Sequence, residues 1–121
     1  VPKITMEMSI GAYPIAKQVY LKQLSRTEGQ IKIFETTGMV PGSAQAFITI
    51  FLAMMRGEVY KRAFNNPTNK FLLESIKNDF GDVIFHKALQ ATQRHIDYYS
   101  TLDKGNLAGL QKIVNQMKIL A

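Results

Sequence analysis

The sequence predicts an all-α fold, a compact single domain of about five or six helices spanning residues 1–121. Three observations predict it. Apolar residues recur at three- and four-residue spacing through most of the chain. Strand-like alternation is nearly absent. Ser, Asn, Pro and Gly stand where such segments begin and end. With 121 residues and 46% hydrophobic composition, the chain can bury a core without disulfides or a metal staple.

The elements follow in order. Pro14 suits a first-turn position, where its missing N–H costs nothing, and Ile15, Val19, Tyr20 and Leu24 continue as a helical stripe. Ser25-Arg-Thr-Glu28 has capping-box spacing and opens a second segment carrying Ile31, Ile33 and Phe34, which ends at Gly38. Gly29 should weaken or bend it. A third helix is expected from Gly42 or Ser43 to Arg56. Ala44, Phe47, Ile48, Phe51, Leu52 and Met55 form its stripe, and Ala46, Ile50 and Met54 make it apolar nearly all round, as in a buried central helix. The stretch GEVYKRAFNN reads as an irregular connection. Asn66-Pro67 then supplies a cap and a first-turn proline for a helix with Phe71, Leu72, Ile76 and Phe80. Gly81 ends it, and Asp82 is expected to cap a helix carrying Ile84, Phe85, Ala88, Leu89, Ile96 and Tyr99. Asn106 is expected to cap the last, with Leu107, Leu110, Ile113, Val114 and Met117 on one face.

Charge narrows the class of partner. The net charge is +6, and residues 41–70 carry Arg56, Lys61, Arg62 and Lys70 against Glu58 alone. That is a modest nucleic-acid footprint, set against the plain alternative of a basic solvated surface. The chain contains no cysteine, no signal peptide and no apolar run near the ~18 residues of a membrane span. A cytoplasmic setting without membrane contact is therefore expected. The chain starts at Val1 and reads as a domain excised from a longer protein. Self-association is left open.

Catalysis is not expected. The two histidines, His86 and His95, lie nine residues apart on one helix, on nearly opposite faces, so that helix cannot bring them to one metal. No zinc-protease, P-loop, dinucleotide or nucleophile-elbow motif occurs, and no carboxylate pair stands out. No metal or cofactor is expected. His86 reads as a partner of Asp82, and His95 as a core-edge imidazole with a local hydrogen bond. Of Tyr98 and Tyr99, one should be buried and the other should line a surface or stack.

The loop GMVPGS, residues 38–43, is unusual because Met39, Val40 and Pro41 are apolar at a helix entrance. A helix N-terminus offers free N–H groups and partial positive charge to an anion. Ser43 and Gln45 can add hydrogen bonds. Val40, Pro41 and Ala44 can form a small apolar surface beside them, because Ala44 stands about one turn after Pro41. A hydrophobic staple with an ordinary cap explains the same residues by packing alone.

The segments GMVPGSAQAF, MMRGEVYKRAFN, FLLESIKNDFG and ALQATQRHIDYY together resemble a helical domain of modification-dependent restriction endonucleases of the HNH type. The matching positions are Gly38, Ser43-Ala44, Gly57, Tyr60, Arg62, Asn65, Asp79-Phe80-Gly81 and His95-Ile96-Asp97-Tyr98-Tyr99, over roughly residues 36–100. Some domains of such enzymes are sulfur-binding domains, which read phosphorothioate DNA. The resemblance implies a non-catalytic reader of double-stranded, phosphorothioate-modified DNA, with any nuclease in a domain absent from this chain. It implies a sulfur cup at Pro41 and Ala44, walled by Val40 where relatives can carry an aromatic. It implies DNA contacts from an Arg and a His, at Arg62 and His95; Ser43, Gln45, Tyr60, Lys61 and Asn65 are expected to stand beside them at the DNA. Sulfur is softer and less hydrated than oxygen, so an apolar wall favours it, while the anionic backbone still attracts cations. Two other readings stand beside this one. The first is a methylated-base reader that stacks Tyr60 or a tyrosine of DYY on the base. The second is a helical protein–protein adaptor using the stripe of residues 107–120.

Overall fold

Residues 4–102 and 107–120 are described in the computed structural model, and every regular element among them is helical. The six helices are α1 (Met6–Tyr20), α2 (Arg26–Thr37), α3 (Pro41–Arg56), α4 (Asn66–Phe80), α5 (Asp82–Ser100) and α6 (Ala108–Leu120). The chain divides into two units, Val1–Leu52 and Ala53–Ala121, with the division inside α3.

In the first unit, α1 begins well before Pro14. Thr5 caps it, its hydroxyl accepting from Met8 N–H at 3.1 Å. Pro14 therefore lies inside the helix, and the Ile10 carbonyl loses its donor. Pro14 is exposed, so water can serve that carbonyl. The capping box of α2 is present in full. Ser25 Oγ accepts from Glu28 N–H at 3.0 Å, and Glu28 Oε1 accepts from Ser25 N–H at 2.9 Å. Those two Ser25 hydrogen bonds hold the Glu28 carboxyl below its ordinary value.

Gly29 lets α2 approach its neighbours closely. A Cβ there would lie 2.5 Å from Val19 Cγ2 and 3.2 Å from Ile48 Cδ1. At the other end of the antiparallel α1–α2 pair, a Cβ on Gly11 would lie 2.7 Å from Thr37 Cγ2. Tyr13 and Tyr20 meet the Phe51 ring edge-on, with centroids 5.6 and 6.4 Å apart.

In the second unit, the cap of α4 is Asn65, one residue before the expected Asn66. Its Oδ1 accepts from Thr68 N–H at 2.9 Å, and Pro67 still occupies the first turn. Gly81, at φ 84°, joins α4 to α5, and no side chain caps α5. Asp82 instead accepts from Lys77 Nζ at 2.8 Å, and that hydrogen bond and charge hold its carboxyl below the usual range. His86 Nδ1 meets the backbone carbonyl of Asp82 at 2.7 Å, not its carboxylate. The expected cap of α6, Asn106, lies outside the described residues. α6 buries Leu110, Val114 and Met117. It faces α5 through a reciprocal pair of side-chain hydrogen bonds, Gln93 Nε2 donating to Gln111 Oε1 and Gln111 Nε2 to Gln93 Oε1, both 2.9 Å.

Candidate nucleic-acid interface

Two helices and a short turn build the first unit's candidate surface. α2 ends when Gly38 enters the left-handed region at φ 79°, its N–H bonding Phe34 O at 2.9 Å. Thr37 Oγ1 donates to Ile33 O at 2.7 Å and accepts from Met39 N–H at 3.1 Å, and Met39 is buried. The turn of Gly38, Met39 and Val40 is thus tied at both ends. The Val40 carbonyl accepts from Ala44 N–H at 2.9 Å, so the helix already includes Pro41. This differs from the expected start at Gly42 or Ser43. Proline at the first helical position has a suitable φ and no N–H to leave unpaired. Val40 has no side-chain oxygen to cap with, so the N–H groups of Gly42 and Ser43 remain open, as first-turn donors do. The bend from α2 to α3 is 120°.

The outward side of α3 is short. Gly42 and Thr49 are exposed and Gln45 and Ala46 half-buried; at 100° per residue these four share one face. Residues 50–55 are buried. Arg26, in the first turn of α2, donates to Thr49 Oγ1. With the Gln45 amide oriented to satisfy both ends, its oxygen accepts from Arg26 at 3.0 and 3.2 Å, and its nitrogen donates to Gln30 Oε1 at 3.2 Å. Gln45 is therefore held by α2, not free to serve the loop as expected. No acidic residue occurs from Thr36 to Gly57.

Ala44 requires a correction. It is 0% exposed, while Pro41 is exposed and Val40 half-buried. Pro41 sits at the helix end, and the chain turns inward within one turn. The Ala44 methyl therefore faces the interior and cannot line a cup with the Pro41 ring. The apolar lip open to a ligand is Val40 with Pro41, beside the half-buried Ser43.

The second unit carries the other candidates on residues 57–65, and α5 pins this connection. Arg94 Nη1 donates to Gly57 O at 2.5 Å, and His95 Nδ1 donates to Tyr60 O at 2.7 Å. The Tyr60 and His95 rings stack with centroids 4.5 Å apart and 11° between planes. Tyr60 and His95 are 4% and 0% exposed, so neither can touch a ligand as expected; they fix the backbone from beneath. Because Nδ1–H is committed to a carbonyl, Nε2 is the acceptor nitrogen, and it has no partner among the described residues. Burial keeps His95 below its ordinary pKa, against the Tyr60 carbonyl, which favours the protonated ring. Burial also pushes the Tyr60 phenol up to about 12.

Lys61 and Arg62 remain exposed on this pinned stretch, and Lys61 Nζ lies 5.4 Å from the centroid of the half-buried Tyr98 ring. Asn65 is exposed but its oxygen caps α4. Tyr99 is likewise half-buried, so neither tyrosine is fully interior. Sequence reasoning missed Arg26 and Thr49. The one available signal was an arginine in a helix's first turn, where the macrodipole disfavours a cation. Among the described residues no group of three His, Cys, Asp or Glu could hold a metal ion, and no single helix is long and apolar enough to cross a membrane. Comparison with protein-family models, curated proteins and solved structures finds no match.

Proposed function

We propose that this chain is a non-catalytic DNA-binding module that reads phosphorothioate-modified duplex DNA. The observation that carries the reading is the entrance of α3. It presents open N–H groups at Gly42 and Ser43 beside an apolar Val40–Pro41 lip, in a stretch without acidic residues. Such an end suits an anion with one soft, weakly hydrated atom: the N–H groups take the charge and the lip takes the sulfur. Arg26 in the first unit, and Lys61 and Arg62 in the second, are exposed cations for ordinary phosphates. The methylated-base reading loses Tyr60, which is buried beneath its own loop, and retains only the half-buried Tyr98 and Tyr99 as stacking candidates.

The test is fluorescence anisotropy with one duplex in four forms: unmodified, each phosphorothioate stereoisomer, and methylcytosine-containing, at two salt concentrations. The expected result is tighter binding of one sulfur stereoisomer. Pro41→Ala should reduce that preference by about 1 kcal/mol, the scale of a small apolar contact. Arg62→Ala should lower the salt slope by about one unit. Equal affinity for all backbone forms would remove the sulfur reading. Absence of any DNA binding at low salt would remove the module's proposed class.

A further inference from the structure

We infer that α2, the three-residue turn and α3 act as a helix-turn-helix, with Ala46 and Thr49 reading base edges in the major groove. This rests on the DNA-binding reading above and deepens it: recognition would include base sequence as well as the backbone mark.

The supersecondary geometry points there first. Two helices bent by 120° across a short turn, with glycine at the helix exit, form the arrangement that lets a second helix enter a groove while the first crosses the backbone. The turn is not slack, since Thr37 ties it and buried Met39 anchors it.

The size of the outward face fits the groove. Gly42 to Thr49 spans seven residue steps, roughly 10 Å of helix axis at about 1.5 Å each. That matches about three base pairs at about 3.4 Å. The major groove is about 12 Å wide and accepts one helix. Gly42 and Ala46 add little bulk to this face, so the backbone can approach closely. Ala46 offers a methyl to thymine and Thr49 a hydroxyl proton, while the Gln45 amide stays committed to Arg26 and Gln30.

Charge fits as well. Arg26 is exposed and fixed at the edge of the face by Thr49 and Gln45. This holds a guanidinium against the macrodipole of its own helix, at a place where a groove-flanking phosphate would lie. The acidic residues of α2, Glu28 and Glu35, stand about 200° and 180° around the helix from Arg26, away from this face.

The experiment is selection from two randomised duplex pools with the chain as it stands, one pool unmodified and one carrying a phosphorothioate at a fixed step. The expected outcome is a preferred core of about three base pairs in at least one pool. Replacing its purines by 7-deazapurines, which lack the major-groove N7 acceptor, should weaken binding about tenfold or more. Thr49→Ala and Ala46→Ser should each change preference at one position, while circular dichroism stays helical. Arg26→Ala should weaken all duplexes together and lower the salt slope by about one. DNA binding with no preferred core in either pool, or a core indifferent to 7-deazapurine, overturns the helix-turn-helix inference alone. No binding to any duplex overturns it together with the DNA-binding reading.

Discussion

Replacing Gly29 by alanine tests how closely the helices of the first unit approach. The added Cβ would stand 2.5 Å from Val19 Cγ2 and 3.2 Å from Ile48 Cδ1, where ordinary contact begins near 3.4 Å. Val19 is β-branched and has essentially one comfortable χ1 in a helix, so it cannot swing its methyl aside cheaply. Ile48 is fully buried. Two helices must therefore shift, which places the cost toward the upper part of the ~1–3 kcal/mol range for overpacking. Alanine returns about 1 kcal/mol in helix propensity. The net expectation is a loss of about 1–2 kcal/mol, or roughly 1 M in urea midpoint for a small domain. Gly42→Ala is the matched control, because its Cβ meets nothing within 4 Å and should stabilise by about 0.5–1 kcal/mol. Val19→Ala combined with Gly29→Ala should cost less than the two single losses added, since the clashing methyl is gone. If Gly29→Ala proves as stable as the parent, the close approach of α1, α2 and α3 is wrong.

Two further outcomes are expected. Stability should fall as pH drops below about 6.5, because the unfolded chain then binds a proton that buried His95 refuses. This contribution is complete above the unfolded value and is lost toward the lower folded one. Urea midpoints between pH 7.5 and 5 should show it, and His95→Gln should flatten the dependence. Asn65→Ala should cost about 1 kcal/mol through the lost cap of α4 while leaving DNA affinity within about twofold. A stable Asn65→Ala protein that no longer binds DNA would make Asn65 a ligand instead.

What could be read from the sequence was local. The capping box at Ser25 and Glu28 and the stop at Gly38 depend on residues three or four positions apart, and both are present. Pro14 misled because an exposed proline can sit inside a helix when water serves the orphaned carbonyl. Asn65 and Asn66 are chemically identical candidates, and only backbone geometry selects the cap. The spacing of Pro41 and Ala44 placed them on one face but could not say that the interior claims Ala44. The stack of Tyr60 on His95 joins residues thirty-five apart, and Arg26 reaches Thr49 across twenty-three, so no sequence window contains either.

The glutamine pair between α5 and α6 has a consequence for how α6 seats. Gln93 also donates to Asp97, and Gln111 to Asn115, each at 3.0 Å along its own helix, so both amides are aimed before they meet. Leucine, valine and methionine side chains tolerate sliding by a fraction of a turn, because apolar contact has no direction. Two amides that exchange donor and acceptor do not: a displacement of about 1.5 Å, one residue step, forfeits both bonds at once. α6 is thus seated in a single register by a pair that adds little to affinity. Exchanging both glutamines for leucine should keep α6 in place in the mean while broadening the methyl resonances of Leu110 and Val114, as several seatings begin to interconvert.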